Sequence, residues 1–185
     1  MVTKVNNDGN SANNYNIGSQ IKKMKFIVLN KQKKTKMPKL YFRYGCMSSS
    51  KTANLLMTAW NYEQQGATIW VIKPSIDDRN GSQNIIKSRT GLERKADLVI
   101  RPHPETLPLE LLIPKHCECV LVDEAQFLAP ERINELRLLS TLCNVICYGL
   151  RTDYSTTLFP GSKRLMEIAD SIEEIKTICI WCKKK

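Results

Sequence analysis

The chain has 185 residues, of which 42% are apolar and 25% charged, a balance that suits one soluble globular domain with enough sequence to bury a core. No apolar run approaches the ~20 residues needed to cross a bilayer, and the four-residue apolar run inside Ile21–Asn30 is too short for a secretion signal, so a cytoplasmic protein is expected. The net charge of +10 invites a nucleic-acid partner, but residues 1–39 hold nine lysines against Asp8 alone, and the rest of the chain is nearly balanced.

Residues 1–36 read as a disordered Asn- and Lys-rich tail, because they carry no sustained apolar periodicity to offset the entropy of ordering. Met37-Pro38-Lys39-Leu40 reads as the start of the folded part, with Met37 an alternative initiator. Leu40–Tyr44 predicts a strand. A small-residue turn follows at Gly45–Thr52. Lys51–Gln65 predicts a helix, from Ala53, Leu56, Met57 and Trp60 at three- and four-residue spacing, stopped by Gly66.

Thr68–Lys73 predicts a second strand, Pro74–Gly91 a polar loop and Asp97–Ile100 a third strand. Cys119–Asp123 and Asn144–Gly149 are buried strands, with a proline-led helix at Pro130–Leu142 between them. Arg151–Gly161 is a loop, Ser162–Ala169 a helix and Glu174–Cys179 a last short strand. This alternation implies an α/β fold, a parallel sheet with helices on both faces.

Two segments carry chemistry. Gly45-Cys46-Met47-Ser48-Ser49-Ser50-Lys51-Thr52 joins a strand to a helix, the setting of a phosphate-binding loop. Backbone N–H groups at the helix start attract anions, Lys51 can reach the β- and γ-phosphates, and the Thr52 hydroxyl can ligate Mg²⁺. Ser50 stands where a second glycine is usual, and the loop can still work if position 50 has φ below zero. The other reading of the segment is a serine-capped helix with an incidental Lys-Thr.

The second segment is Cys119-Val120-Leu121-Val122-Asp123-Glu124, an apolar strand ending in two carboxylates at the edge where open α/β sheets bind ligands. Asp123 would serve the metal. Glu124, pointing to the other side, could take a proton from a substrate hydroxyl. The alternative is an ordinary polar strand end.

Tyr44-Gly45-Cys46-Met47 through Lys51-Thr52, Val122-Asp123-Glu124-Ala125-Gln126-Phe127 and Leu158-Phe159-Pro160-Gly161-Ser162 together resemble the type II thymidine kinases, over about Leu40 to Cys182. The resemblance implies a P-loop kinase domain over 37–170 and the remnant of a small zinc-bearing lasso over 171–185. It also implies ATP-dependent phosphorylation of the thymidine 5′-hydroxyl with Mg²⁺ in a homotetramer. Glu124 matches the family's catalytic base, and Asp123, Glu124, Ala125 and Gln126 its second ATP and metal segment. Met47 matches a residue packed on thymine, and Asp77 and Arg79 a loop near the phosphates. Phe127, Leu150, Tyr154 and Phe159 match the nucleoside pocket, where Tyr154 stands in place of the usual phenylalanine.

Cys179-Ile180-Trp181-Cys182 matches the first zinc pair of the lasso. The second pair is absent, so no intact zinc site is expected. The remaining cysteines, including Cys117, Cys119, Cys143 and Cys147, read as reduced thiols and core residues, and His103 and His116 as loop residues. Other readings of the whole chain are a different P-loop ATPase, a nucleic-acid binder acting through its tail, and an inactive fragment of a thymidine kinase.

Overall fold

The computed structural model describes residues 37–76, 84–105, 107–179 and 181–184. The expected tail at 1–36, with Asp77 and Arg79, lies outside the described residues. Strands β1 (Leu40–Tyr44), β2 (Ile69–Pro74), β5 (Leu98–Ile100), β6 (Cys119–Val122), β7 (Asn144–Gly149) and β8 (Ser171–Glu174) form one six-stranded sheet. Its order is β5-β2-β6-β7-β1-β8, and every pairing is parallel. A separate antiparallel pair joins β3 (Ile85–Lys87) to β4 (Glu93–Lys95).

Helices α1 (Lys51–Gln64), α2 (Leu109–Leu112), α3 (Pro130–Leu139) and α4 (Pro160–Ile168) cover the sheet. Strand alternation sorts the side chains into two cores. Val120, Val122, Val145 and Cys147 pack with Leu109, Ile133, Leu136 and Leu165 from α2, α3 and α4. Cys119, Leu121, Ile146 and Tyr148 pack instead with Leu55, Leu56 and Ala59 of α1. The two-faced parallel architecture expected from the sequence is present, and among the described residues no helix is long and apolar enough to cross a membrane.

Three local expectations differ from the structure. The stretch 74–91 is not wholly loop, since β3 lies within it. The last strand is Ser171–Glu174, upstream of the expected Glu174–Cys179, and it pairs with β1 at the sheet edge. Its four residues are all exposed, and the more apolar stretch after it carries the stronger pattern although the strand that pairs with β1 is Ser171–Glu174.

The third difference is the face of α1. Ala53, Leu55, Leu56 and Ala59 are its buried apolar residues, whereas Met57 and Trp60 are exposed. Small alanines bring the helix close to the sheet, and a pattern weighted by bulk turns toward the wrong side. Gly66 does close this helix, with φ at +75° and its N–H on Glu63 O at 2.9 Å.

The start of β1 is tied by Asp170, whose carboxylate accepts from Leu40 N at 2.8 Å and from the Arg137 guanidinium. Arg137 first, and then the Leu40 amide, hold that carboxyl below its ordinary range. A depressed acid stabilises the fold above the ordinary Asp range, about pH 4, and loses that contribution as pH falls through its folded value. Asp170→Asn is therefore expected to unfold at a lower temperature than the parent chain at neutral pH. The two melting curves should converge in acid, and thermal unfolding followed across pH reads this directly.

Candidate active site

β6, β7 and β1 are neighbours in the sheet, in that spatial order, with their carboxyl ends at the same edge. β1 runs into the phosphate loop and β6 into Asp123-Glu124. The two segments are thus two strand spacings apart, roughly 10 Å. Asp123 N still donates to Ile72 O at 3.0 Å, extending the ladder one residue past β6. Continued alternation then aims Asp123 at the face covered by α1. There the Thr52 hydroxyl meets both Asp123 carboxylate oxygens, at 3.3 and 3.4 Å.

Glu124 follows in the left-handed region, φ 48° and ψ 40°. This turns the chain into the 3-10 turn Ala125–Phe127 and redirects the Glu124 side chain. Instead of lying on opposite sides, Asp123 and Glu124 line the same cavity of about 370 Å³. The cavity is also lined by Met47 through Ala53, by Leu150, and by Ile86, Lys87, Ser88, Arg89 and Thr90 of the hairpin.

The phosphate loop is strongly bent. Ser48 and Ser50 have φ of 64° and 60°. The condition of φ below zero at position 50 is thus not met: the serine occupies the left-handed conformation that glycine adopts freely. A left-handed non-glycine residue costs about 1–2 kcal/mol, and such residues concentrate where backbone N–H groups must converge on an anion. Ser50→Gly is expected to raise stability by about 0.5–1 kcal/mol, the relieved strain less the freedom added to the unfolded chain. Chemical denaturation measures that difference, and an unchanged midpoint would refute the strain.

Lys51 is buried, and its ammonium donates to Cys46 O at 2.7 Å and Gly45 O at 3.2 Å. Ser49 Oγ is buried without a hydrogen-bond partner among the described residues, and Ser49 lines the same cavity. A phosphate oxygen would give that hydroxyl an acceptor. The donor set thus fits a polyphosphate: a lysine, the N-terminus of α1 and an unsatisfied hydroxyl. Thr52 and Asp123 supply the hydroxyl and carboxylate oxygens that suit a hard divalent cation.

Gln126 is buried behind the carboxylates. Its Nε2 donates to Glu124 Oε2 at 2.5 Å, and its Oε1 accepts from Leu150 N at 3.0 Å. The Ser162 hydroxyl donates to Leu150 O, so the backbone of Leu150 is held from both sides. Phe127 and Phe159 pack edge to face at 5.9 Å. Neither lines the cavity, nor does the fully exposed Tyr154. Of the residues assigned to the nucleoside, Met47 and Leu150 line the cavity with the carboxylates, while Ala125 and Gln126, assigned to the ATP segment, are buried and do not line it.

Sequence reasoning missed Arg89, Ser162 and Lys73. Lys73 is fully buried at the end of β2 and donates to Ile85 O at 3.1 Å. A strand-final lysine inside an apolar run is the signal that could have found it.

A family model described as thymidine kinase matches residues 38–185. The chain belongs to the thymidine kinase family. It is similar to the thymidine kinase of Streptococcus gordonii, 40% identical over 151 residues that cover 80% of this chain and 78% of the relative. Against the thymidine kinase of Listeria monocytogenes serovar 1/2a the identity is 43% over 154 residues, with coverage of 80% and 78%. A thymidine kinase of Streptococcus pyogenes serotype M3 is 38% identical over 151 residues, covering 80% and 79%.

In thymidine kinase terms, the Cys179 and Cys182 pair forms a tight turn, with Lys183 N donating to Cys179 O at 3.0 Å. The Cys179 thiol is held below the ordinary thiol range, first by the Cys182 backbone N–H and then by that of Trp181. Among the described residues no group of three or more His, Cys, Asp or Glu side chains could hold a metal. Two thiols do not fit a four-ligand structural zinc. Cys117, Cys119, Cys143 and Cys147 are buried, and burial pushes the Cys119 thiol up to about 12.

Proposed function

We propose that this chain transfers the γ-phosphoryl group of ATP to the 5′-hydroxyl of thymidine, giving dTMP and ADP. The observation that carries the reading is the meeting of Thr52 with Asp123, at 3.3 Å, in a cavity that Glu124 also lines. Family membership and the similar thymidine kinases support the choice of substrates.

Glu124 accepts the 5′-hydroxyl proton as the O5′–Pγ bond forms and the bond from Pγ to the β-phosphate bridging oxygen breaks. Lys51 and the loop amides of Met47 to Thr52 hold the phosphates and offset the charge on ADP. Thr52 and Asp123 would hold Mg²⁺, which when bound neutralises phosphate oxygens. Gln126 fixes the Glu124 carboxylate and the Leu150 backbone together, so the proton acceptor and the nucleoside wall move as one. Met47 and Leu150 are apolar walls for a flat base, and Phe127, Tyr154 and Phe159, which lie outside the cavity, are assigned to the nucleoside on the family resemblance alone. We assign the homotetramer on the family resemblance alone, and sedimentation velocity reads it directly.

The test is a nucleoside panel with γ-labelled ATP. Label should appear in a nucleoside monophosphate only when thymidine or a close analogue is present. Phosphate release that is indifferent to nucleoside would instead make the chain a P-loop ATPase. Lys51→Ala is expected to weaken ATP binding by about tenfold or more in calorimetry, on the scale of one lost charge-assisted contact.

A further inference from the structure

The β3–β4 hairpin is fastened to α1 and brings a second cation to the phosphate loop. Ile86 of β3 is 1% exposed and packs among Leu55, Leu56 and Ala59. Arg94 of β4 pairs with Glu63 on α1 and with Asp97 at 3.0 Å. Lys73 Nζ holds Ile85 O at 3.1 Å. The connecting turn is closed by Ser88: its N–H donates to Leu92 O at 2.8 Å, and its hydroxyl accepts from Leu92 N at 3.1 Å.

That turn places Arg89 at the cavity. Its Nη1 donates to Ser48 Oγ at 2.6 Å, and Ser48 is one of the two left-handed residues of the phosphate loop. Arg89 lines the cavity together with Lys51, Asp123 and Glu124. A guanidinium has five N–H donors in one planar fork, so one bond to a hydroxyl orients the group and leaves donors for a phosphate oxygen. Its neighbours on the turn are hydroxyls, with Ser88 and Thr90 bonded to each other at 2.8 Å. Such surroundings suit a polyanion better than the flat face of a base.

We propose that Arg89 is a phosphate-binding residue for the nucleotide. Oriented by Ser48, it contacts the triphosphate from the hairpin, a different element from the one that carries Lys51. The inference rests on the reading of this cavity as a nucleoside triphosphate site. It adds a residue from a segment that the loop motif does not contain.

The experiment compares the full chain with Arg89→Ala and Arg89→Lys. Kinetic constants for ATP and thymidine are measured, and inorganic tripolyphosphate is titrated by calorimetry. Arg89→Ala should raise KM for ATP and weaken tripolyphosphate by similar factors, about tenfold, the scale of one charge-assisted hydrogen bond. KM for thymidine and the melting temperature should stay near the parent values, because Arg89 is exposed. Arg89→Lys should recover only part of the loss, since an ammonium cannot reproduce the planar fork.

An unchanged KM for ATP would overturn the proposal. So would a loss for ATP without one for tripolyphosphate, which would move Arg89 to the nucleoside half. A parent chain that transfers no phosphoryl group to thymidine would defeat the function instead, and the tripolyphosphate titration would still decide Arg89.

Discussion

Glu124→Gln is expected to lower kcat by about 10²–10⁴-fold, the range that a positioned general base contributes, while ATP affinity stays close to that of the parent chain. The isostere is the informative change because of Gln126. Its Nε2 donates to Glu124 Oε2, and a glutamine at 124 keeps a carbonyl oxygen for that bond. Backbone strain at the left-handed position is the same for both side chains. What disappears is the capacity to accept a proton. Single-turnover transfer from labelled ATP, with nucleotide affinity measured alongside, separates this from a binding defect. A rate near that of the parent would remove Glu124 from the chemistry, and a parallel loss of ATP affinity would make its role electrostatic.

The largest expected effect on stability lies away from the site, at Arg132. This side chain is 2% exposed, and it donates through Nε to Arg101 O at 3.3 Å, through Nη2 to His103 O at 2.6 Å and through Nη1 to Glu135 at 2.6 Å. It therefore satisfies two backbone carbonyls of the 101–105 loop from inside α3, whose N-cap residue Ala129 also holds that loop through its N–H on Pro102 O. Arg132→Ala strands both carbonyls and leaves a cavity. The expected loss is about 3–5 kcal/mol, a large part of the roughly 5–15 kcal/mol that keeps a domain folded. Denaturant titration at constant slope reads the loss. Arg132→Lys should recover little, because one ammonium cannot serve three directions. A change under about 1 kcal/mol would show the loop to be held by other contacts.

The parts of this protein written in local chemistry were legible. β6 and β7 are continuous apolar runs because both their faces are covered, and such runs stand out. The loop after β1 and the acids after β6 stand out by residue type and spacing, and the fold brings Thr52 and Asp123 within hydrogen-bond reach. Parts defined by tertiary partners were not legible. Glu93-Arg94-Lys95 has no strand pattern of its own, and it is held by Glu63 and Asp97. β8 is a wholly exposed edge whose order comes from pairing with β1. The backbone of Ser50 is set by the loop around it, and residue identity argued for the opposite sign of φ. Arg89 reads as one more polar loop residue until the hairpin that carries it is folded.

Beyond β8 the chain continues across the root of the phosphate loop. Ile175 N donates to Tyr44 O at 2.7 Å, and the Thr177 hydroxyl reaches Ser48 O at 3.4 Å. Gly45 sits so close beneath this crossing that a Cβ built on it would lie 2.6 Å from Ile175 O. The stretch leading toward Cys179 is therefore a strap over the anion cradle. A single methyl at position 45 would push that strap off the loop, because the backbone it meets at Ile175 cannot give way as a flexible side chain could.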